Sequence, residues 1–451
     1  MASITKDYTK GSIPKQLFFF MIPFMLSNAL QVLYSAVDMV IVGRFVGSAG
    51  LAAVAQGSQI VNFAVMFFMG FSTGGQTLIA QILGAQKKQE LNKVIGTLFT
   101  SVFSLGLVFS IALASLRVPI LTLINMPPEG FDMAASYVLI CGGGVVFTAG
   151  YNCVASVLRG MGDSKRPFIF ITIASLTNLV LDLLFTGYLG WGVPGAAAAT
   201  ILGQAFSFIL SLVHLYKHRE AFGFDFKLSS FRLDKNYLMI IVKQGIPMAI
   251  QSAAVNISMI FVSSLVNSLG VIAAATFGVG IKISDICTKI SVGVQFASAP
   301  MVGQNYAAKD FERCKKVVYF AWLFAFIYTF AFLAYYLPFG DSLFALFSND
   351  PAVIAMSAQF RYAIFWEFLF LCVMRGTNGL IQGIGFANLS LILGLLDGVV
   401  LRIGLSYLLG VVFGMGFQGF VLGFAFAAVG TAVPGAIYFF SGKWKTRKAL
   451  V

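Results

Sequence analysis

Long apolar runs separated by short polar interruptions fill the chain from end to end. A helix needs about 20 mostly apolar residues to cross the hydrocarbon of a bilayer, and the runs meet that length. Sliding hydropathy predicts twelve membrane helices, at residues 14–42, 51–85, 94–116, 134–159, 167–188, 194–216, 238–266, 271–304, 317–338, 352–380, 389–411 and 417–440. The fold class that follows is an all-α membrane protein of twelve transmembrane helices.

Composition agrees with the pattern. Of 451 residues, 59% are hydrophobic and 10% charged, against about 25% charged in soluble domains, and the mean hydropathy is +0.89. This excludes a water-soluble fold, and twelve spans leave no length for a soluble catalytic domain. The 46 glycines fit helix packing in lipid, where small residues let backbones approach closely. The five cysteines (Cys141, Cys153, Cys287, Cys314, Cys372) are scattered without metal-ligand spacing and read as buried fillers. Lys6, Lys10 and Lys15 precede an apolar run longer than a signal segment carries, so a retained first helix is expected.

The formal charge of +13 reads as topology, not as a nucleic-acid footprint. Basic residues cluster before helix 1, between helices 2 and 3 (Lys87, Lys88, Lys93), at the helix 4–5 turn (Arg159, Lys165, Arg166), around the central loop, after helix 8 (Lys309, Arg313, Lys315, Lys316) and in the tail (Lys443, Lys445, Arg447, Lys448). Only Arg44 and Arg117 fall on the opposite side. The positive-inside rule then puts both termini in the cytoplasm of a bacterial inner membrane.

The chain repeats itself at an offset of 223 to 224 residues. Leu158-Arg159-Gly160-Met161-Gly162 falls on Ile381-Gln382-Gly383-Ile384-Gly385, Gln81 on Gln304, Gly47 on Gly270, Pro23 on Pro247, and Gly190–Gly195 on Gly414–Gly419. The predicted organisation is an N-terminal six-helix lobe (1–216), a polar cytoplasmic linker (217–236) and a homologous C-terminal lobe (237–451). Six is even, so the two bundles are expected to be related by a pseudo-two-fold axis along the membrane normal.

Three motifs point elsewhere and are set aside. Gly190–Gly195 and Gly414–Gly419 match G-x-G-x-x-G, yet no strand precedes either, so they read as tight turns between membrane helices. No G-x-x-x-x-G-K-[ST] occurs, so no ATP is expected in a P-loop and transport must draw on a gradient or a partner. His214 and His218 stand at i, i+4 at one helix end, but two histidines supply neither a metal cage nor an intramembrane catalytic centre. The chain is not read as an enzyme, and no cofactor is implied.

An ionisable residue at membrane depth is costly and marks function by default. Five acids lie in predicted helices: Asp38, Asp182, Asp285, Glu367 and Asp397. Asp285 has Lys282 and Lys289 on its face of helix 8, where a packed ion pair competes with a substrate or proton role. Glu367 and Arg375 in helix 10, with Asp397 and Arg402 in helix 11, offer a second polar network whose pairings stay open. Asp38 and Asp182 differ, because neither has a basic residue near it in its own helix. Asn178 lies one turn before Asp182, and Thr200 lies on helix 6. Two carboxylates, an amide and a hydroxyl are hard oxygen ligands, suited to Na⁺ or to a shared proton. The repeat partners of Asp38, Asn178 and Asp182, namely Phe261, Leu401 and Leu405, are apolar, so a coupling cation is expected in the N-terminal half alone.

These residues resemble a known family. Val37-Asp38-Met39-Val40-Ile41-Val42-Gly43-Arg44 followed by Gly50-Leu51-Ala52-Ala53, the glutamines Gln81 and Gln304, and the Leu158-Arg159-Gly160-x-Gly162 turn resemble the landmarks of multidrug and toxic compound extrusion (MATE) transporters over essentially the whole chain. The resemblance implies export of organic, often cationic amphipathic compounds in exchange for H⁺ or Na⁺, by alternating access. In the DNA-damage-inducible branch it implies a cation site at Asp38, Asn178, Asp182 and Thr200, and a first helix that bends at Pro23, where one backbone bond is lost. The other branch uses acids in helices 7 and 10; helix 7 here has none. A monomer in the bilayer with small-molecule substrates is expected. The competing reading is a lipid-linked oligosaccharide flippase of the same superfamily, which would need unpaired cations facing its cavity.

Overall fold

A backbone in hydrocarbon must satisfy its hydrogen bonds internally, which leaves helices as the means of crossing for a chain of this pattern. The computed structural model describes residues 6–124 and 126–451, apart from the side chain of Ser48; residues 1–5 of the expected N-terminal lobe lie outside it. Among the described residues there is no strand. Twelve segments correspond to the twelve predicted spans: α1 (Ile13–Phe45), α2 (Ser48–Gly84), α3 (Leu91–Leu123), α4 (Pro128–Gly143 and Val145–Gly160), α5 (Lys165–Tyr188), α6 (Gly192–Lys217), α7 (Lys235–Asn267), α8 (Val271–Ala307), α9 (Phe311–Ala345), α10 (Pro351–Gly383), α11 (Ala387–Val412) and α12 (Gly416–Phe440). Eleven are long and apolar enough to cross a membrane, and α4 makes the twelfth when its two parts, bent by 41°, count as one.

The repeat is visible in backbone geometry as well as in sequence. Left-handed glycines recur at Gly190 and Gly192 (φ 67° and 62°) and at Gly414 and Gly416 (φ 67° and 56°). Both G-x-G pairs are therefore turns between membrane helices, where side chains rarely adopt the required φ. The non-glycine residues Gln86 (φ 59°) and Lys309 (φ 61°) occupy equivalent places too. Pro23 and Pro247 lie inside α1 and α7, and α1 runs unbroken through Pro23.

The chain forms two compact units. Among the described residues, unit 1 comprises Lys6 and Asp7 together with Leu26–Ala249, and unit 2 comprises Tyr8–Met25 and Ile250–Val451. The division therefore falls inside α1 and α7, not in the polar segment 217–236. That segment packs against unit 1. The Thr100 hydroxyl donates to Phe231 O (2.6 Å), Asp234 N–H donates to Thr97 Oγ1 (3.1 Å), and Phe224 stacks on Phe99 of α3 with ring centres 5.9 Å apart. Asp225 closes it locally by accepting from Ser230 Oγ (2.6 Å) and Lys227 N–H (3.2 Å), and the Ser230 bond in particular holds its carboxyl below the usual carboxylate range.

Candidate functional site

The polar residues singled out in the first half converge inside unit 1. Asn178 and Asp182 are one turn apart on α5 and both are buried, at 2% and 1% exposure. Directly after Asp182 the helix widens from i→i+4 to i→i+5 hydrogen bonding over Leu183–Tyr188, a feature often found beside functional residues. The Asn178 amide donates to Thr200 Oγ1 on α6 (3.3 Å), and that hydroxyl donates to Ala196 O (3.0 Å). Gly203, one turn further along α6, makes this approach possible: a Cβ there would lie 3.0 Å from Ala174 O and 3.1 Å from Asn178 Cβ.

From α1, Asp38 lies beside Asp182, and Asn178 neighbours the same acid. Neither acid has an ion-pair partner among the described residues. Asp38 Oδ1, both Asp182 oxygens and Asn178 Oδ1 are buried with no hydrogen-bond partner among the described residues. All four are acceptors. Two neighbouring ionised carboxylates repel by about 4 kcal/mol at a separation of about 4 Å and an effective dielectric of about 20, so the cluster calls for a proton or a hard cation to bridge it. Orphaned oxygens without a donor are the chemistry that either would satisfy.

Two tyrosines complete the cluster, and the sequence reading missed both. Tyr34, one helical turn before Asp38, neighbours Thr200 and lies near both acids; its i, i+4 spacing from Asp38 was the available signal. Tyr137 on α4 lies beside Cys141 and near Asp38, and no local pattern marks it. The Cys141 thiol donates to Ala197 O (3.7 Å), tying α4 to α6.

The charged residues of unit 2 are arranged differently. Asp397 and Arg402 form a buried pair (2.9 Å), supported by Thr431 Oγ1 on Asp397 (3.4 Å) and by the Phe424 ring under the guanidinium (4.5 Å). Arg375 donates to Ser291 Oγ, Gln295 Oε1 and Thr288 O, all neutral groups. Glu367 is buried at 6% exposure and pairs directly with neither arginine, although both lie close enough to act on it electrostatically. Asp285 pairs with Lys289 at 3.6 Å; Lys282, exposed on α8, does not join it. His214 and His218 lie with ring centres 4.4 Å apart and planes tilted by 36°, and no group of three metal-ligating side chains occurs among the described residues.

Comparison with known proteins agrees with this architecture. The MatE family model matches twice, over residues 23–184 and 247–408, so the matches begin at Pro23 and Pro247 and reproduce the offset of 224. The chain is 29% identical over 443 residues to the probable multidrug resistance protein YpnP of Bacillus subtilis, covering 98% of each chain. It is 22% identical over 458 residues to the probable multidrug resistance protein NorM of Thermotoga maritima, covering 99% of this chain and 97% of that one. A crystal structure of a MATE protein in the bent conformation superposes with a TM-score of 0.91 at 23% identity, over 98% of this chain and 97% of that one. With two matches spanning both halves of a twelve-helix membrane protein, the chain belongs to the MatE family, the multidrug and toxic compound extrusion transporters.

Proposed function

We propose that this protein is a secondary active antiporter that exports organic, cationic amphipathic compounds across a bacterial inner membrane in exchange for H⁺ or Na⁺. The observation that carries the reading is the cluster of acceptors without donors at Asp38, Asp182 and Asn178, a site that is incomplete without a proton or a hard cation. The relatives' names speak of multidrug resistance, which favours drug export over movement of lipid-linked sugars.

In this mechanism Asp38 and Asp182 take up the cation, Asn178 and Thr200 hold it, and Tyr34 orients Thr200. Loading neutralises the repulsion between the carboxylates and lets α1 repack against α5. Pro23 gives α1 the weak point at which it bends, since one backbone hydrogen bond is missing there. Drug and cation must prefer opposite states for exchange to occur, because a ligand shifts an equilibrium only through its differential affinity. The homologous halves 1–216 and 237–451, with 217–236 packed on the first and both termini cytoplasmic, carry out alternating access as a monomer, α1 and α7 passing from one compact unit to the other. Arg375 and the Asp397–Arg402 pair tie helices of the second half together, and with Lys282, Asp285, Lys289 and Glu367 they leave cation coupling to the first.

The test is cation flux in proteoliposomes, with pH and Na⁺ gradients imposed separately and a cationic dye as substrate. Dye movement driven by one gradient and abolished by Asp38→Asn supports the reading. Dye movement indifferent to both gradients, or unaffected by Asp38→Asn while Glu367→Gln is inactive, overturns it.

A further inference from the structure

The basic end of unit 2 holds a cavity that the transport mechanism does not use. About 350 Å³ in volume, it lies between the start of α1 (Gly11, Ser12, Ile13, Pro14) and the start of α9 (Asp310, Glu312, Arg313, Lys316, Phe320). Of its two acids, Glu312 is ion-paired and Asp310 is held as a helix cap but keeps its charge, which Lys10, Lys15, Arg313 and Lys316 around the mouth outnumber. Glu312 accepts from Lys315 Nζ (2.8 Å) and lies 3.6 Å from Lys445 Nζ, while Asp310 Oδ1 caps α9 by accepting from Arg313 N–H (2.9 Å). Its two cations are not neutralised. The Arg313 guanidinium donates only to neutral oxygens, Tyr8 O, Lys10 O and Gln16 Oε1, and Lys316 is exposed without an ion pair among the described residues. Lys10 and Lys15 flank the mouth, both exposed.

Further along the same two helices the exposed side chains are apolar. Phe320 lines the cavity, and Phe18, Phe19, Leu323 and Ile327 are 42%, 57%, 48% and 58% exposed on the same two helices. Phe18 meets Phe324 across the α1–α9 seam at 6.0 Å between ring centres. A concave site with excess positive charge at a helix end and exposed aromatic and aliphatic side chains further along the same helices matches a lipid with an anionic headgroup. Basic pockets between membrane helices on the cytoplasmic side take such headgroups.

We infer that the α1–α9 seam of unit 2 binds one anionic phospholipid, its phosphate between Arg313 and Lys316 and its acyl chains along Phe18, Phe19, Leu323 and Ile327. The lipid clamps the first turns of α1 to α9. The membrane's own composition thus acts on the helix that carries Asp38.

Native mass spectrometry of the delipidated full chain, titrated with phosphatidylglycerol, phosphatidylcholine and inorganic phosphate, tests the assignment. One phosphatidylglycerol should be retained on the order of 25-fold more tightly than phosphatidylcholine, from about fivefold for each of two basic side chains at an anionic group. Lys316→Gln should weaken phosphatidylglycerol about fivefold and leave phosphatidylcholine unchanged, with Lys316→Arg restoring the affinity. Lys87→Gln, which removes an exposed charge from unit 1, should change neither. Equal retention of the two lipids, an equal loss from Lys87→Gln, or displacement of phosphatidylglycerol by millimolar inorganic phosphate would overturn the site.

Discussion

Asp182→Asn separates a coupling site from a structural one, because the two roles move stability in opposite directions. In the wild type both Asp182 oxygens are buried without a donor, and Asp38 Oδ1 beside them has none. A buried polar atom left unsatisfied costs about 1–3 kcal/mol, and more when it carries charge. The substitution replaces one orphaned oxygen with an NH₂ group within reach of the Asp38 carboxylate, removes a negative charge and keeps the shape. The variant should therefore be more stable than the wild type by about 1–3 kcal/mol while gradient-driven export falls to background. Thermal unfolding in detergent, followed in Na⁺-free buffer at a pH high enough to leave the wild-type carboxylates unprotonated, reads the first effect, and dye export from proteoliposomes reads the second. A variant that is less stable than the wild type, or one that exports at the wild-type rate, refutes the reasoning.

Further expectations follow from neighbouring geometry. Tyr34→Phe removes the hydroxyl that neighbours Thr200 and should slow export severalfold without abolishing it, at a cost of about 1 kcal/mol; a silent substitution in the flux assay would remove Tyr34 from the site. Arg402→Gln leaves Asp397 buried and unpaired and should cost about 3–5 kcal/mol, whereas adding Asp397→Asn should recover most of the loss; additive costs in a double-mutant cycle would show that the 2.9 Å pair carries no coupling. Asp225 is depressed in the folded chain, so its contribution to the 217–236 segment is present above the unfolded carboxylate pKa of about 3.9 and disappears as pH falls through the lower folded value. Asp225→Ala should raise hydrogen exchange at Lys227 and Ser230 at neutral pH, and unchanged protection would contradict the bonding.

The spans were legible because a bilayer imposes a length and a composition on every crossing helix, and the repeat because each pair of turns needs glycine at the same φ. The α5–α6 part of the site was legible for a similar reason: Asn178 and Asp182 share a helix face at i, i+4. Tyr137 was not, since nothing local distinguishes it from the chain's other aromatic residues and only the packing of α4 brings it to Asp38. The Asp397–Arg402 pair is the instructive case. Residues five apart on an α-helix point about 140° away from each other, which argues against a contact. The backbone of Leu396–Ile403 instead follows i→i+5 hydrogen bonding, which turns position i+5 back towards i. Hydropathy carries no sign of that local unwinding. Nor could it reveal that the units divide inside α1 and α7, because the polar segment 217–236 looks like a linker by composition while its backbone and phenylalanines are packed on α3.

The division inside α1 also bears on how the protein is made. Tyr8, Leu17 and Phe20 are 1%, 0% and 1% exposed, in a core that they share with Val294, Met301, Val318, Leu380 and Trp444. The ribosome delivers the first of these residues long before the last. Until α8 to α12 have entered the bilayer, the opening turns of α1 have no protein surface to bury them. Through most of synthesis they must be sheltered by lipid or by the insertion machinery. Although made before them, α1 is thus among the last helices to reach its final neighbours, and truncation near Trp444 should be felt at Tyr8.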